Sequence, residues 1–373
     1  MKILHIATLV TPDGAYGGPI RVALNQLREL ARLGHDVELV AGTKGFGENL
    51  PSSIDGVPVR LFAVRQSVPS TGYAGLTAPG LGRYVRQQLE HVDVVHVHLA
   101  RDLITMPVAR IVARSRTPMV VQPHGMIIEP KNATGRVFDV ALTRSVLRGS
   151  KSVLTLTDAE SISLHSVAGP TVRTERIING VPSYTGSTHP VEPLDVLFLA
   201  RLQERKRPQL FVEMAIQLLK EGSDATFSLV GPDEGEGHKI ETLIRDSNMA
   251  DRIRWEGALS PEKTLERIAA CGIYVLPSVG EVFPMSVLEA MSVGRAIVIT
   301  TSNGLANPLM SAGAALVVDE SLAGLVQATR SLLTNSDMRL TLGEKAHAEA
   351  ERGYTMRSVA LQLETTYASH SVK

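Results

Sequence analysis

Short apolar runs rich in Val, Ile and Leu alternate with longer amphipathic segments almost from end to end of this chain. In the first half the runs are KILHIATLV, DVELVAG, VPVRLFAV, DVVHVHL, PMVVQPH and SVLTLT, separated by helical patterns such as IRVALNQLRELARLG and GLGRYVRQQLEHV. The second half restarts the same grammar with DVLFLAR, TFSLVG, IRWEGAL, IYVLPS, AIVITTS and AALVVD, and its helical patterns include RPQLFVEMAIQLLKEG and PMSVLEAMSVG. Such alternation predicts an α/β protein built from βαβ units, with parallel sheets covered on both faces. Between the halves SYTGSTHPVEPL has turn formers, prolines and no periodicity. The expected organisation is therefore an N-terminal Rossmann-like domain over 1–183, a linker over 184–193 and a C-terminal Rossmann-like domain over 194–355. The charged helical tail ends in a helix at about 356–373 that is expected to pack back on the first domain.

Length agrees with two cores, since 373 residues exceed the roughly 250–300 at which one core stops growing. Lys+Arg and Asp+Glu balance at 38 each, which excludes a broad nucleic-acid-binding field, so ligands must be recognised locally. The single cysteine, Cys271 in AACGIYVL, excludes an internal disulfide and reads as a buried thiol in a reducing cytosol. The N-terminal run MKILHIATLV is too short, and too interrupted by His5 and Thr8, for a signal peptide, and reads as a first buried strand. No stretch approaches the roughly 18 apolar residues of a membrane span, so membrane contact is expected to be peripheral.

The chemically unusual residues fall just after the predicted strands, where an open parallel sheet exposes its ligand crevice. Gly17 and Gly18 follow the first strand, and YGGPIRVALNQL would let unobstructed amides at a helix start approach an anion; a plain tight turn explains them equally. His96 and His98 share one face of a strand, which fits either a metal site, for which spacing offers no third ligand, or a packed, hydrogen-bonded pair. In QPHGM, His124 closes a strand and Gly125 permits a sharp turn that would present the ring or its carbonyl; a structural histidine is the alternative. ARLQERKRP gathers Arg201, Arg205, Lys206 and Arg207 between a strand and a helix, either as a solvated charge run or as a phosphate grip. In GEVFPMSVLE, Glu281 belongs to a loop after a strand and Glu289 to the helix begun near Pro284, so they read as two separate acceptors rather than an acid–base pair.

Taken in order, YGGP, HVH, QPHGM, INGV, ARLQERK, LVGPDEG and VLPSVGEVFPMSVLEAMSVG, the last with its E-x7-E, resemble the family 4 retaining glycosyltransferases over nearly the whole chain. That resemblance implies the GT-B fold, two Rossmann-like domains facing across a cleft, with the acceptor side in the first domain and the donor side in the second. It implies a nucleotide-diphosphate sugar as co-substrate, no metal ion or other cofactor, and transfer with retention onto a saccharide, lipid-linked or small-molecule acceptor. Carried over by position, Arg201 and Lys206 would hold the diphosphate, with Gly17 and Gly18 approaching it from the other domain. Glu281 would contact the donor sugar, the amides around Phe283, Pro284, Met285 and Ser286 would line its pocket, and Glu289 would bind the ribose. His124 would lie beside the anomeric centre, with Tyr16, Arg21 and His98 on the acceptor side.

The sequence departs from the family pattern at Val282 and Arg207, where glycine is usual, and TSNGLANPLM lacks a glutamate often found after the glycine. A GT-B sugar-nucleotide 2-epimerase or a non-catalytic nucleotide-sugar binder are the alternatives that the same motifs leave open. QPHGMIIEP with the Arg-bearing segment behind it resembles enzymes of bacterial surface-polysaccharide assembly. The distinctly basic stretch from Arg101 to Lys151 is expected to face an anionic membrane or lipid diphosphate at the inner face of the cell membrane, a solvated basic face being the alternative.

Overall fold

The computed structural model describes residues 1–12, 17–47, 49–69, 71–130, 133–181, 184 and 194–370. It divides into one compact unit of Met1–Gly180 with Met356–Lys373 and a second of Val181–Thr355. Most of the expected linker, and Tyr16, lie outside the described residues.

The N-terminal unit contains strands β1 (Lys2–Val10), β2 (Asp36–Thr43), β3 (Ser53–Ile54), β4 (Val57–Ala63), β5 (Arg65–Gln66), β6 (Leu76–Thr77), β7 (Val94–His98), β8 (Met119–Gln122), β9 (Ser152–Thr155) and β10 (Thr174–Arg176). Its helices are α1 (Gly17–Arg32), α2 (Leu81–Gln88), α3 (Thr105–Val112), α4 (Ala133–Phe138), α5 (Arg144–Gly149) and α6 (Asp158–Ala168), with a π turn at Asp139–Thr143 joining α4 to α5. The main sheet has the order β10-β9-β8-β7-β1-β2-β4-β3. Its pairings are parallel except for β3, which runs antiparallel to β4. β7 and β8 are buried along their whole length, as strands covered on both faces must be.

The C-terminal unit repeats the plan with β11 (Asp195–Leu199), β12 (Thr226–Val230), β13 (Ile253–Trp255), β14 (Ile273–Leu276), β15 (Ala296–Thr300) and β16 (Leu316–Val318). Its helices are α7 (Pro208–Lys220), α8 (Gly237–Ser247), α9 (Pro261–Ala269), α10 (Met285–Ser292), α11 (Ala306–Ala312), α12 (Leu322–Thr334) and α13 (Ser336–Gly353). All pairings in the order β13-β12-β11-β14-β15-β16 are parallel. β13 is shorter than the apolar run IRWEGAL predicts, and Gly257, at φ 78°, follows it. The final helix, α14 (Met356–His370), belongs to the N-terminal unit and lies against α1.

Both sheets reverse direction of growth at one place, between β1 and β7 in the first unit and between β11 and β14 in the second. At such a switch point neighbouring loops leave the carboxyl edge in opposite directions and open a crevice for a ligand. Cys271 is buried in the second core as expected, and burial pushes its thiol up to about 12, which leaves it protonated and inert.

Candidate functional site

The switch point of the C-terminal unit gathers the cationic loop and the first glutamate. Lys206 follows β11 in a single 3-10 turn, Glu204–Lys206, and Glu281 follows β14. Their side chains form an ion pair with Lys206 Nζ 2.8 Å from Glu281 Oε1, and Arg205 reaches the same oxygen at 3.3 Å. The pair is largely shielded, with 12% and 8% of the two side chains exposed. Burial pulls the Lys206 ammonium down from its usual value, opposed by the Glu281 carboxylate. Arg201 is exposed and pairs with Glu234 Oε1 at 2.8 Å rather than with Glu281.

Backbone contacts fix the loops to one another. Val279 N–H donates to Arg205 O at 2.9 Å, and Arg205 Nη1 donates to Gly280 O at 3.2 Å. Gly304 N–H donates to Glu281 O at 2.7 Å, and a Cβ at Gly304 would stand 1.9 Å from Val282 O, so only glycine lets the β15 loop touch the β14 loop. Gly231 after β12 is likewise required, since a Cβ there would meet Ala200 O at 1.9 Å. Val282, a departure from the family pattern, has no positive φ and needs no glycine. Arg207 does occupy a left-handed conformation, φ 55°, where glycine would be free of strain. The arginine offsets this by donating Nη1 to Glu320 O at 2.8 Å. Asn303, just before Gly304, is buried and its Oδ1 accepts from Leu305 N–H at 3.0 Å.

Glu289 sits in the second turn of α10, which is capped by Pro284 and starts at Met285, and it is 7% exposed. Ser286, three residues earlier, accepts from Tyr274 Oη at 2.7 Å, with Leu199 O at 3.2 Å from the same hydroxyl; burial raises the Tyr274 phenol well above its usual range. Phe283 packs on Tyr354, ring centroids 6.1 Å apart. Glu281 and Glu289 are thus separated by the loop-to-helix transition, one against cations and one within the helix.

At the switch point of the N-terminal unit Gly17 and Gly18 form the first turn of α1, whose amides have no partner within the helix. A side chain at Gly18 would meet nothing within 4 Å, and Arg21 lies half-buried one turn on. His124 and Gly125 are consecutive left-handed residues, φ 54° and 74°. Glu160 of α6 pins this turn, accepting Gly125 N–H at 2.6 Å and Leu156 N–H at 2.7 Å; burial raises its carboxyl. Nothing in the sequence but its N-terminal place in a helix marked Glu160.

The half-buried His124 ring stacks on His98 at 12°, with His124 Nε2 2.8 Å from His98 Nδ1. His98 is 1% exposed, so its ring is screened from solvent and has His124 as its neighbour on that side. Its other nitrogen, Nε2, lies 3.0 Å from Nδ1 of His5, which stands directly opposite His96 in the β1–β7 register. His5 Nε2 and His96 Nδ1 both contact the Tyr367 hydroxyl of α14, at 3.1 and 2.5 Å. Sequence spacing offered no third partner for His96 and His98; the sheet supplies His5, whose sign in the sequence is a histidine inside an apolar strand. Burial holds His5, His96 and His98 well below the usual imidazole value and His124 at about 3, so all are neutral near pH 7.

A family model described as glycosyl transferase 4-like domain matches residues 17–180, and one described as glycosyl transferases group 1 matches 186–349. The chain is a GT-B glycosyltransferase of the group 1 type. A D-inositol 3-phosphate glycosyltransferase of Corynebacterium aurimucosum is 23% identical over 99% of this chain and 95% of its own. That of Pseudarthrobacter chlorophenolicus is 27% identical, over 48% of this chain and 44% of its own. Among solved structures, Anabaena HepE in complex with UDP superimposes with TM-score 0.76 at 19% identity, covering 99% of this chain and 100% of that one. The lipopolysaccharide glycosyltransferase WaaG follows with TM-score 0.69 at 16% identity, covering 100% of each chain. The glycosyltransferase therefore has two Rossmann-like units, and among its described residues no helix is long and apolar enough to cross a membrane.

Proposed function

We propose that this glycosyltransferase moves a sugar, with retention and without a metal ion, from a nucleotide-diphosphate donor to a saccharide or lipid-linked acceptor in bacterial polysaccharide or glycoconjugate synthesis. The observation that carries the reading is the Lys206–Glu281 pair at the β11–β14 switch point, braced by Arg205 and the Gly304 contact. In the proposed complex Lys206 and Arg201 meet the diphosphate and Gly17 and Gly18 give it amides. Glu281 takes sugar hydroxyls, the residues from Phe283 to Ser286 line the sugar pocket, and Glu289 takes the ribose. His124 lies beside the anomeric carbon, and Arg21 and, through His124, His98 serve the acceptor side.

Cleaving the anomeric C–O bond leaves negative charge on the diphosphate and positive character on the sugar. Fixed cations stabilise the first, a carboxylate beside the ring the second, with little reorganisation. A leaving-phosphate oxygen then accepts the proton of the attacking hydroxyl on the same face, so the half-buried, neutral His124 need not act as a base. Thermal shifts with UDP-, GDP- and ADP-sugars identify the donor, since a ligand of the folded state raises Tm. NMR of the product with saccharide, lipid-linked and inositol-phosphate acceptors then gives the anomeric configuration, in EDTA as well as in magnesium. An inverted product, or a metal requirement, overturns the mechanism.

For the membrane contact the supporting surface is the α4–α5 segment. Val137 and Val140 are 68% and 61% exposed there, with Ile128 at 54% just before it, among exposed Arg136, Arg144, Arg148 and Lys151. Arg101, Arg110 and Arg148 of the same basic stretch are also engaged within the fold, with Asp139, Ala141 O and Ala168 O. The cytoplasmic enzyme then rests peripherally on the inner membrane face, apolar side chains in and arginines at the headgroups. Liposome sedimentation tests this: equal binding to neutral and anionic vesicles at moderate salt rules it out.

A further inference from the structure

We propose that Tyr367, on the C-terminal helix and far along the chain from the reacting residues, is a positioning residue that sets the tautomer and orientation of His124 through His5 and His98. The inference rests on the role assigned to His124 above.

The contacts form one uninterrupted run. The Tyr367 hydroxyl meets His5 Nε2 at 3.1 Å, His5 Nδ1 meets His98 Nε2 at 3.0 Å, and His98 Nδ1 meets His124 Nε2 at 2.8 Å. A neutral imidazole carries one N–H, so where both nitrogens are engaged one donates and the other accepts. His5 and His98 are both in that position, and the run must be polarised in one direction from end to end. Reversing it at any ring would set two N–H groups, or two lone pairs, against each other in a buried site.

The branch to His96 favours one polarity. His96 Nδ1 also contacts the Tyr367 oxygen, whereas its buried Nε2 has no hydrogen bond of good geometry, the Gln122 side chain, whose buried Nε2 also lacks one, being the neighbour that interacts with this ring. If His96 carries its proton on Nδ1 and donates to Tyr367, the unpartnered atom is a bare acceptor; in the other tautomer it is a buried N–H, the rarer and costlier orphan. Tyr367 then donates to His5, His5 to His98, and His98 to His124 Nε2. His124 is left with its proton on Nδ1, its ring held against His98 and its backbone held by Glu160 at Gly125. The nitrogens of His5, His96 and His98 lie close enough together to ligate a metal ion. Most of them are already committed to one another or to Tyr367, which favours a hydrogen-bonded relay.

Long-range 1H–15N spectra of the histidine-labelled full-length protein read the tautomers directly. The expected wild-type result is His98 and His124 each as a single tautomer protonated on Nδ1; protonation of His124 on Nε2 overturns the proposal. So does stoichiometric zinc in the purified protein that removes these N–H signals. In Tyr367→Phe, which keeps the ring and removes the donor, His98 and His124 are expected to become tautomer mixtures. With it kcat should fall on the order of ten- to a hundredfold at nearly unchanged donor KM. A folded Tyr367→Phe with wild-type tautomers and kcat refutes the relay. His124→Ala separates the two readings: undiminished kcat there removes the role of His124 itself, whatever the spectra of Tyr367→Phe show.

Discussion

Acidification is expected to unfold the N-terminal unit much more steeply than an ordinary domain. His5, His96 and His98 are 0–1% exposed and neutral when folded, and His124 does not protonate until about pH 3. In the unfolded chain all four titrate near the ordinary value of 6.5. A folded pKa below the unfolded one means that the unfolded state binds more protons as pH falls, so the stability present above pH 6.5 is lost below it. Between pH 7.5 and 5.5 each histidine that stays neutral in the fold costs on the order of 1 kcal/mol, so the cluster loses several kcal/mol. This is comparable with the whole stability of many domains, about 5–15 kcal/mol. Asp102 and Glu160, raised by burial, act in the opposite sense, but only as pH approaches their folded values. Urea unfolding followed by circular dichroism at pH 7.5, 6.5 and 5.5 measures the effect. The single tryptophan, Trp255, reports the C-terminal unit separately. A loss of less than about 1 kcal/mol in the N-terminal transition over this range would refute the assignment of neutral, buried histidines.

Other outcomes follow from the C-terminal site. Glu281→Gln should mainly lower kcat and Glu289→Gln mainly raise donor KM, because one faces the sugar and the other the ribose in the proposed complex; indistinguishable kinetics would remove that division. Lys206→Met leaves the shielded Glu281 carboxylate with only the longer Arg205 contact and should destabilise by about 3 kcal/mol, with much of this recovered in Lys206→Met/Glu281→Gln. A thermal double-mutant cycle measures the recovery, and additive losses contradict the coupling. In Gly304→Ala the new Cβ would collide with Val282 O, so the Glu281 loop must shift. Activity should fall about a hundredfold with the circular dichroism spectrum preserved, and unchanged kcat/KM would show that the loop contact does not hold the site.

The period of the apolar runs was enough to read both sheets as parallel, because strands buried on two faces lose their alternation and become continuous Val/Ile/Leu segments. The motif order was enough to identify the enzyme class, and E-x7-E to split Glu281 from Glu289 between loop and helix. Element ends were less legible: the pattern starts the first helix at Ile20, whereas α1 begins at Gly17, since its first turn has no apolar face to mark it. Arg207 shows another limit, as the left-handed conformation it tolerates is visible only in the backbone.

Contacts between residues far apart in sequence were decided by tertiary structure alone. Period-two alternation put His96 and His98 on one face of a strand, but only the β1–β7 register sets His5 opposite His96, and only the packing of α14 brings Tyr367 to both. In the same way the cationic loop and Glu281 were each legible, while their 2.8 Å pairing required β11 and β14 to be neighbours at a switch point. Local patterns are written in side-chain chemistry and periodicity, which a linear sequence displays. Which strands become neighbours is settled by the winding of the sheet, and that winding makes the site.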